Sequence, residues 1–363
     1  MKILTVVGAR PQFIKAAAIS RVIRDQYTNS IEEIIVHTGQ HHDENMSQIF
    51  FDELDIPKPK FNLEISGGGH GAMTGKMLEG IERVLLQERP DCLLIYGDTN
   101  STLAGAIGAA KLHIPVAHVE AGLRSFNMRM PEEINRILSD RISSLLFCPT
   151  KTAVDNLSAE GLKNGVYQVG DVMYDVALFY RDRAQQNSRI LSSLKLTSKN
   201  FALATCHRAE NTDDPQRLAS ILGAFAEIAK DMPLVFPLHP RTKKLISENH
   251  LNSLLDSIIT TEPLPFLDMV ALEQGAKMIL TDSGGVQKEA FFYNTPCITL
   301  RDETEWVETV SLGMNQLVGA NTKAIIQAVE KVKIDINQVV QRHPYGNGDA
   351  SQAICQHLLK YPK

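Results

Sequence analysis

Three carboxylates sit where a carboxylate contributes least to a packed core. Asp98, in Tyr96-Gly97-Asp98-Thr99, and Glu120, in His118-Val119-Glu120-Ala121-Gly122, each end an apolar run that reads as a buried strand; Glu132 follows in the loop-to-helix stretch Met130-Pro131-Glu132-Glu133. The C-terminal ends of parallel strands are where open α/β sheets bind ligands. Brought together, three such acids raise one another's pKa, which is how carboxylates come to move protons near neutrality. Any one of them alone could equally be a helix cap or an ion-pair partner.

Two turns suit an anion. Gly8-Ala9-Arg10-Pro11 ends the first apolar run, and Pro11 fits a first helical position because its missing N–H costs nothing there. Arg10 and Lys15 then place two cations beside a helix N-terminus that already attracts anions through its free amides and dipole. A plain pair of solvent-facing cations is the equal alternative. Further on, Met278-Ile279-Leu280 leads through Thr281-Asp282-Ser283-Gly284-Gly285 into a helical pattern. Small residues and a hydroxyl at such a turn let a diphosphate approach the backbone, and Glu289, inside the helix, could accept hydrogen bonds from a ribose. An ordinary Ser or Asp N-cap competes with that reading. His207, in Thr205-Cys206-His207-Arg208, is a candidate proton donor or phosphate partner. A Cys206–His207 nucleophilic pair is rejected, because neighbours along a strand point to opposite faces.

The elements that must position these groups are short Val/Ile/Leu runs at 3–7, 34–37, 92–96, 116–119, 201–205, 234–237, 278–280 and 297–300. Helical patterns such as 102–112, 216–230 and 286–292 alternate with them. Continuous apolar runs without strict alternation fit strands buried on both faces of a parallel sheet, so the fold class is α/β, doubly wound. One strand series runs to about Cys148 and a second opens near Phe201, with a polar stretch at 181–200 between them. The expected domains are 1–168 with 350–363, and 169–349, hinged near Val169-Gly170-Asp171 and facing each other across a cleft.

A formal charge of −5 and a pI near 6.1 exclude the broad basic surface that non-specific nucleic-acid binding needs. Anionic ligands must then be met by local cations and helix ends. No apolar run reaches membrane-spanning length, and the chain opens directly into a strand pattern without signal-peptide architecture. Five scattered cysteines without a CxxC read as reduced thiols of a cytosolic protein. Gly67-Gly68-Gly69-His70-Gly71-Ala72 fits a dinucleotide pattern literally but comes too late for the first βα turn, so it reads as a flexible loop and no NAD is inferred. His41-His42-Asp43-Glu44 has metal-ligand composition without zinc spacing, and reads as a solvated polar turn or helix start; no metal is expected.

Gly8-Ala9-Arg10-Pro11 with Lys15, Gly97-Asp98-Thr99, His118-Val119-Glu120-Ala121-Gly122-Leu123-Arg124, Pro131-Glu132-Glu133-Ile134-Asn135-Arg136, His207-Arg208 and Thr281-Asp282-Ser283-Gly284-Gly285-Val286-Gln287 occur in that order. In these six segments the chain resembles the non-hydrolysing UDP-N-acetylglucosamine 2-epimerases over essentially its full length. Within that family it is most similar to the branch acting on UDP-2,3-diacetamido-2,3-dideoxyglucuronic acid, through residues 8–16, Ser125-Phe126-Asn127-Met128-Arg129-Met130 and Thr304-Glu305-Trp306-Val307-Glu308. The resemblance implies a pair of Rossmann-like domains of the GT-B type, a homodimer, and a last helix returning to the first domain. It also implies UDP contacts from Arg10, Lys15, Ser283, Gly284, Gly285 and Glu289, and catalytic roles for Asp98, Glu120, Glu132 and His207. Many bacterial N-acetylglucosamine enzymes carry Arg where Trp306 stands, and differ at Gln40-His41-His42 and Lys76, so a nucleotide contact at 306 and activation by bound substrate are not carried over.

The chemistry explains the residue types. Carbon 2 of a pyranose is not acidic until the anomeric bond to UDP breaks and positive charge develops beside it. Loss of UDP as a carboxylate takes the proton gives a glycal; reprotonation on the opposite face with re-addition of UDP inverts carbon 2 alone. Asp98 and Glu120 are the main proton-transfer candidates, Glu132 supports them, and His207, Arg10 and Lys15 hold the diphosphate. A uronate would want its own cation, and Arg129 is the candidate. A GT-B glycosyltransferase would share the fold and UDP cradle, but three acids around carbon 2 would be surplus to it.

Overall fold

The computed structural model describes residues 1–39, 58–331 and 343–361, so the His41–Glu44 run and the Gln40–His42 difference lie outside the described residues. The chain divides into two compact units: Met1–Val176 with Pro344–Lys363, and Ala177–His343.

The first unit is built on seven parallel strands, β1 (Lys2–Val7), β2 (Glu32–His37), β3 (Phe61–Asn62), β4 (Cys92–Tyr96), β5 (Val116–Val119), β6 (Leu145–Cys148) and β7 (Val166–Gln168), in the order β3-β2-β1-β4-β5-β6-β7. The central strands are buried along their length, as their unbroken apolar sequence requires. Strand order reverses between β1 and β4, which opens a crevice beyond their C-terminal ends. The helix Asn100–Lys111 packs beside these strands through Ala104, Gly105, Ala106, Gly108 and Ala109, small side chains that admit the helix His70–Glu88 at close range. The Gly67–Ala72 run is a loop only as far as Gly69. Gly67 and Gly68 take left-handed backbone (φ 71° and 86°), but His70 opens the helix His70–Glu88 with Gly69 as its N-cap, because Met73, Met77, Ile81, Val84 and Leu85 recur at helical spacing beyond it.

The second unit repeats the plan with six parallel strands: β8 (Ala202–Thr205), β9 (Leu234–Pro237), β10 (Ile259–Thr261), β11 (Met278–Thr281), β12 (Cys297–Thr299) and β13 (Asn315–Leu317). Their order is β10-β9-β8-β11-β12-β13, with the reversal between β8 and β11. One face is covered by the helix Pro215–Ile228, whose Leu218, Ile221, Leu222 and Phe225 are buried against the sheet.

The helix Val172–Asn187 carries the division, after Val176. Just before it, Gly170 (φ 90°) runs so close to the returning chain that a Cβ there would lie 2.9 Å from the Tyr345 carbonyl oxygen. The last helix, Ala350–Lys360, belongs to the first unit: the Asp175 carboxylate accepts from the amides of Ala350 (3.2 Å) and Ser351 (2.7 Å) and so caps it. All five cysteines are buried and free, and no helix among the described residues is long and apolar enough to cross a membrane.

Candidate active site

In the first unit Arg10, Lys15, Asp98, Glu120 and Glu132 all belong to segments that leave β1, β4 and β5 at their C-terminal ends or start the helix beyond them. The turn after β1 is locked by one side chain. Gln12 Oε1 accepts from the amides of Gly8 (2.8 Å) and Ala9 (3.1 Å), while its Nε2 donates to the Tyr96 carbonyl (2.8 Å) and to Thr102 Oγ1 (2.9 Å). It thereby ties the start of the helix Arg10–Gln26, where Arg10 is half-buried, to the end of β4, where Asp98 emerges.

After β4 the chain turns at Gly97 (φ 61°), and after β5 at Glu120, itself in left-handed backbone (φ 72°). That conformation costs a non-glycine residue about 1–3 kcal/mol and persists only where the surroundings over-determine it. They do: the amides of Glu120 and Ala121 both donate to the Phe147 carbonyl, at 3.0 and 3.1 Å. The turn aims the Glu120 carboxylate at the Lys15 ammonium in a nearly buried ion pair. A Cβ on Gly97 would lie 3.4 Å from both Glu120 Oε2 and Lys15 Nζ, so this pair sits directly over the turn that presents Asp98.

Asp98 is paired with Arg136, on the helix Pro131–Ile142, and its backbone carbonyl accepts from Asn135 Nδ2 (2.9 Å). Its carboxyl pKa is raised. Lost hydration is the largest cause; Arg136 and Lys15 oppose it, and the charges of Glu120 and Glu132 add to it. Glu120 and Glu132 are therefore close enough for their charges to act on Asp98. Glu133, beside Glu132, is structural: it accepts from the Ser125 and Phe126 amides and from Arg136. Burial alone would raise its pKa, but those donors outweigh burial and hold it lower than usual. Lys15, expected from sequence to serve a diphosphate, is engaged with Glu120 here.

Sequence reasoning passed over the charges beneath these turns. His118 and Asp140 are both fully buried and bonded at 2.7 Å, and Asp140 also accepts from Arg124 Nη1 (2.7 Å) and from the Gly122 amide (3.1 Å). Burial would raise the Asp140 pKa, but His118 and then Arg124 outweigh it and the pKa is lowered. Arg124 is in addition held bidentate by Glu160 (2.6 and 2.7 Å), which commits it to the fold; Arg129 is exposed. These partners lie 16 to 36 residues apart in sequence, and no local spacing signals them.

In the second unit His207 follows β8 and Ser283 follows β11, the two strands flanking the reversal. Asp282 is fully buried and clamps both turns: it accepts from the amides of His207 (3.0 Å) and Arg208 (3.0 Å) and from Asn211 Nδ2 (3.2 Å). The His207 side chain is 40% exposed, with Nδ1 3.5 Å from Asp282 Oδ1. Ser283 is the N-cap of the helix Gly284–Phe292, its hydroxyl accepting from the Val286 amide at 3.5 Å. The amides of Gly284 and Gly285 belong to the first-turn donors that a helix cannot satisfy internally, and so can receive an anion. A Cβ on Gly284 would lie 2.7 Å from Glu305 Oε1 and 3.7 Å from Arg208 Nη2, so a carboxylate and a guanidinium both flank this turn. Glu289 is half-buried on the same helix. His239 was not foreseen. It caps the helix Pro240–Glu248 through Nδ1, its ring centroid is 5.9 Å from that of His207, and burial, then His207 and Arg241, lower its pKa. Trp306 is buried, its ring 4.0 Å from the Lys288 ammonium.

The sequence pattern of the UDP-N-acetylglucosamine 2-epimerase family matches residues 25–359. A UDP-2,3-diacetamido-2,3-dideoxy-D-glucuronate 2-epimerase of Pseudomonas aeruginosa is 54% identical, covering 99% of this chain and 100% of its own. The crystal structure of Methanocaldococcus jannaschii UDP-GlcNAc 2-epimerase in complex with UDP-GlcNAc and UDP is 45% identical, with TM-score 0.88 over 99% of each chain. That of the Neisseria meningitidis UDP-GlcNAc 2-epimerase bound to UDP-GlcNAc is 31% identical, with TM-score 0.90 over 99% of this chain and 100% of its own.

Proposed function

The chain belongs to the UDP-N-acetylglucosamine 2-epimerase family, an isomerase family acting on UDP-sugars, and on that premise we propose that it inverts carbon 2 of UDP-2,3-diacetamido-2,3-dideoxyglucuronic acid. The observation that supports catalysis by this chain is the grouping of Asp98, Glu120 and Glu132, with Glu120 held in left-handed backbone against Lys15. The observation that favours the uronate is the 54% identity to an enzyme of that name along both chains.

In this reading the Gly284 and Gly285 amides, Ser283, Arg10 and His207 serve the diphosphate, and Glu289 the ribose. As the anomeric C–O bond breaks, its electron pair leaves with UDP. A carboxylate of the Asp98–Glu120 pair takes the carbon 2 proton, and the C–H electrons form the C1–C2 double bond of the glycal. Return of a proton to the other face and of UDP to carbon 1 gives the epimer, with no net oxidation, so no nicotinamide is needed. Lys15, paired with Glu120, adds positive charge toward the departing diphosphate. Arg129 answers the extra carboxylate of the uronate. We place the enzyme in the cytoplasm, where free buried thiols persist, as a homodimer supplying precursors of a surface polysaccharide.

Side-by-side turnover of the diacetamido-uronate and UDP-N-acetylglucosamine, followed by NMR, tests the substrate. The uronate should win by at least about tenfold in kcat/KM, and Arg129→Ala should erase most of that margin, since a charge-assisted contact contributes about 1.5–3 kcal/mol. Equal or reversed preference would make UDP-N-acetylglucosamine, the sugar bound in two of the similar structures, the substrate here as well.

A further inference from the structure

We propose that His118 and Asp140 are positioning residues of the epimerase reaction: a buried imidazolium–carboxylate pair that fixes the turns carrying Asp98 and Glu120. Each ring nitrogen of His118 faces an acceptor. His118 Nε2 lies 2.7 Å from the Gly97 carbonyl oxygen, which can only accept. His118 Nδ1 lies 2.7 Å from Asp140 Oδ1. Asp140 Oδ2 receives Arg124 Nη1 and the Gly122 amide, and these positive and N–H partners hold the carboxyl below its usual range against burial, so it is ionised and also only accepts. Both ring nitrogens must donate, so the ring carries two protons. A cation with no exposed surface needs balancing charge, and the cluster supplies it: His118 and Arg124 are positive, Asp140 and Glu160 negative.

A histidine that merely filled core space would not need these particular partners. The Gly97 carbonyl is the peptide oxygen immediately before Asp98, at the left-handed turn after β4. The Gly122 amide lies two residues after Glu120, whose own backbone is strained. A Cβ on Gly122 would meet the Ala153 carbonyl oxygen at 2.4 Å, so that turn has no slack of its own. One ion pair, its members 22 residues apart along the chain, therefore grips both acid-bearing turns through their backbone. Proton transfer on two faces of one carbon depends on the separation of the two acids, and a misplacement of about 1 Å can lower such a rate 100-fold.

This inference rests on the epimerase reading, which wild-type turnover tests by itself. His118→Asn keeps an amide donor near the Nδ1 position, toward Asp140, and loses the donor to Gly97. His118→Gln reaches the Nε2 position and keeps the donor to Gly97. His118→Asn should lower kcat about 10- to 100-fold with KM changed less than about threefold, and His118→Gln should recover most of the loss. Both variants matching wild type, or both losing kcat equally and in step with their melting temperatures, would overturn the positioning role. A second readout does not depend on turnover or on any variant folding. In 15N-labelled wild type, both His118 ring nitrogens should show a directly bonded proton; one bare nitrogen would overturn the imidazolium. Wild type that leaves UDP-sugars unchanged would instead remove the reaction, and the spectrum would still decide the pair.

Discussion

At the residue scale the governing conflict is at Asp98. Lost hydration pushes its carboxyl upward, Glu120 and Glu132 push the same way, and Arg136 and Lys15 pull down. The net direction is up, so the ionised, proton-accepting form is reached at a higher pH than for an ordinary aspartate. Removing the Arg136 charge takes away the largest downward influence and must raise the pKa further. The acid limb of the kcat/KM profile of Arg136→Gln should accordingly move up by about one pH unit relative to wild type. A limb that stays in place, with fold confirmed by melting, would mean that the group titrating in that limb is not the Asp98 carboxyl beside Arg136. Asp98, Glu120 and His207 could be singled out in sequence because each follows an apolar run, where a polar side chain needs a reason, and Glu132 because it opens the loop-to-helix stretch beyond them. Arg136, Asp140, Asp282 and His239 could not. Each acts through a partner brought near by tertiary packing, and a lone charged residue in a helix or turn reads as solvated surface until that partner is seen.

At the element scale, strands central to both sheets were readable because burial on two faces writes an uninterrupted apolar run. The edge strands β3, β7, β10 and β13 have only two or three residues each, too few to establish any period. The helix His70–Glu88 was obscured at its start by glycines that serve its entry turn. The C-terminal helix supplies a test of element docking. Burial raises the capping Asp175 carboxyl to about 6, against the pull of the Ser351 and Ala350 amides. The folded pKa thus exceeds the unfolded value of about 3.9, so the native state keeps a proton that the unfolded chain releases. The stabilisation from this group is complete below about pH 4 and is lost as pH rises through about 6, amounting to at most about 3 kcal/mol. Asp175→Asn removes the titration. The stability difference between variant and wild type, from denaturant midpoints, should shift in the variant's favour from pH 4 to pH 7 by roughly 1–3 kcal/mol. Curves that stay parallel across that range would refute the assignment.

At the scale of the whole molecule, one strand plan occurs twice, and in each unit candidate residues follow the two strands flanking the reversal of order, β1 and β4, then β8 and β11, with Glu120 after β5 and Glu132 on the helix beyond it. The doubled α/β series was readable from the alternation of apolar runs and helical patterns, whereas the point of division inside a continuous helix carries no composition signal. The helix Pro131–Ile142 presents Ile134, Leu138 and Ile142, one above another at intervals of four residues and 37–46% exposed, beside the exposed Phe126 and Met128. A stripe of that kind beside exposed apolar loop residues supports the homodimer reading. Sedimentation should give twice the chain mass of 40.2 kDa for wild type, and Leu138→Asp should shift it toward monomer. A wild type that sediments as monomer at micromolar concentration would remove that role for the stripe.

In the proposed reaction, carboxylates exchange the proton of carbon 2 while UDP is detached. Turnover of the UDP-sugar in deuterated water tests it most directly, with the hydrogen at carbon 2 followed by NMR. Deuterium is expected at carbon 2 of every epimerised molecule, with slow appearance of free UDP and glycal. Inversion that keeps the original hydrogen at carbon 2 would contradict it.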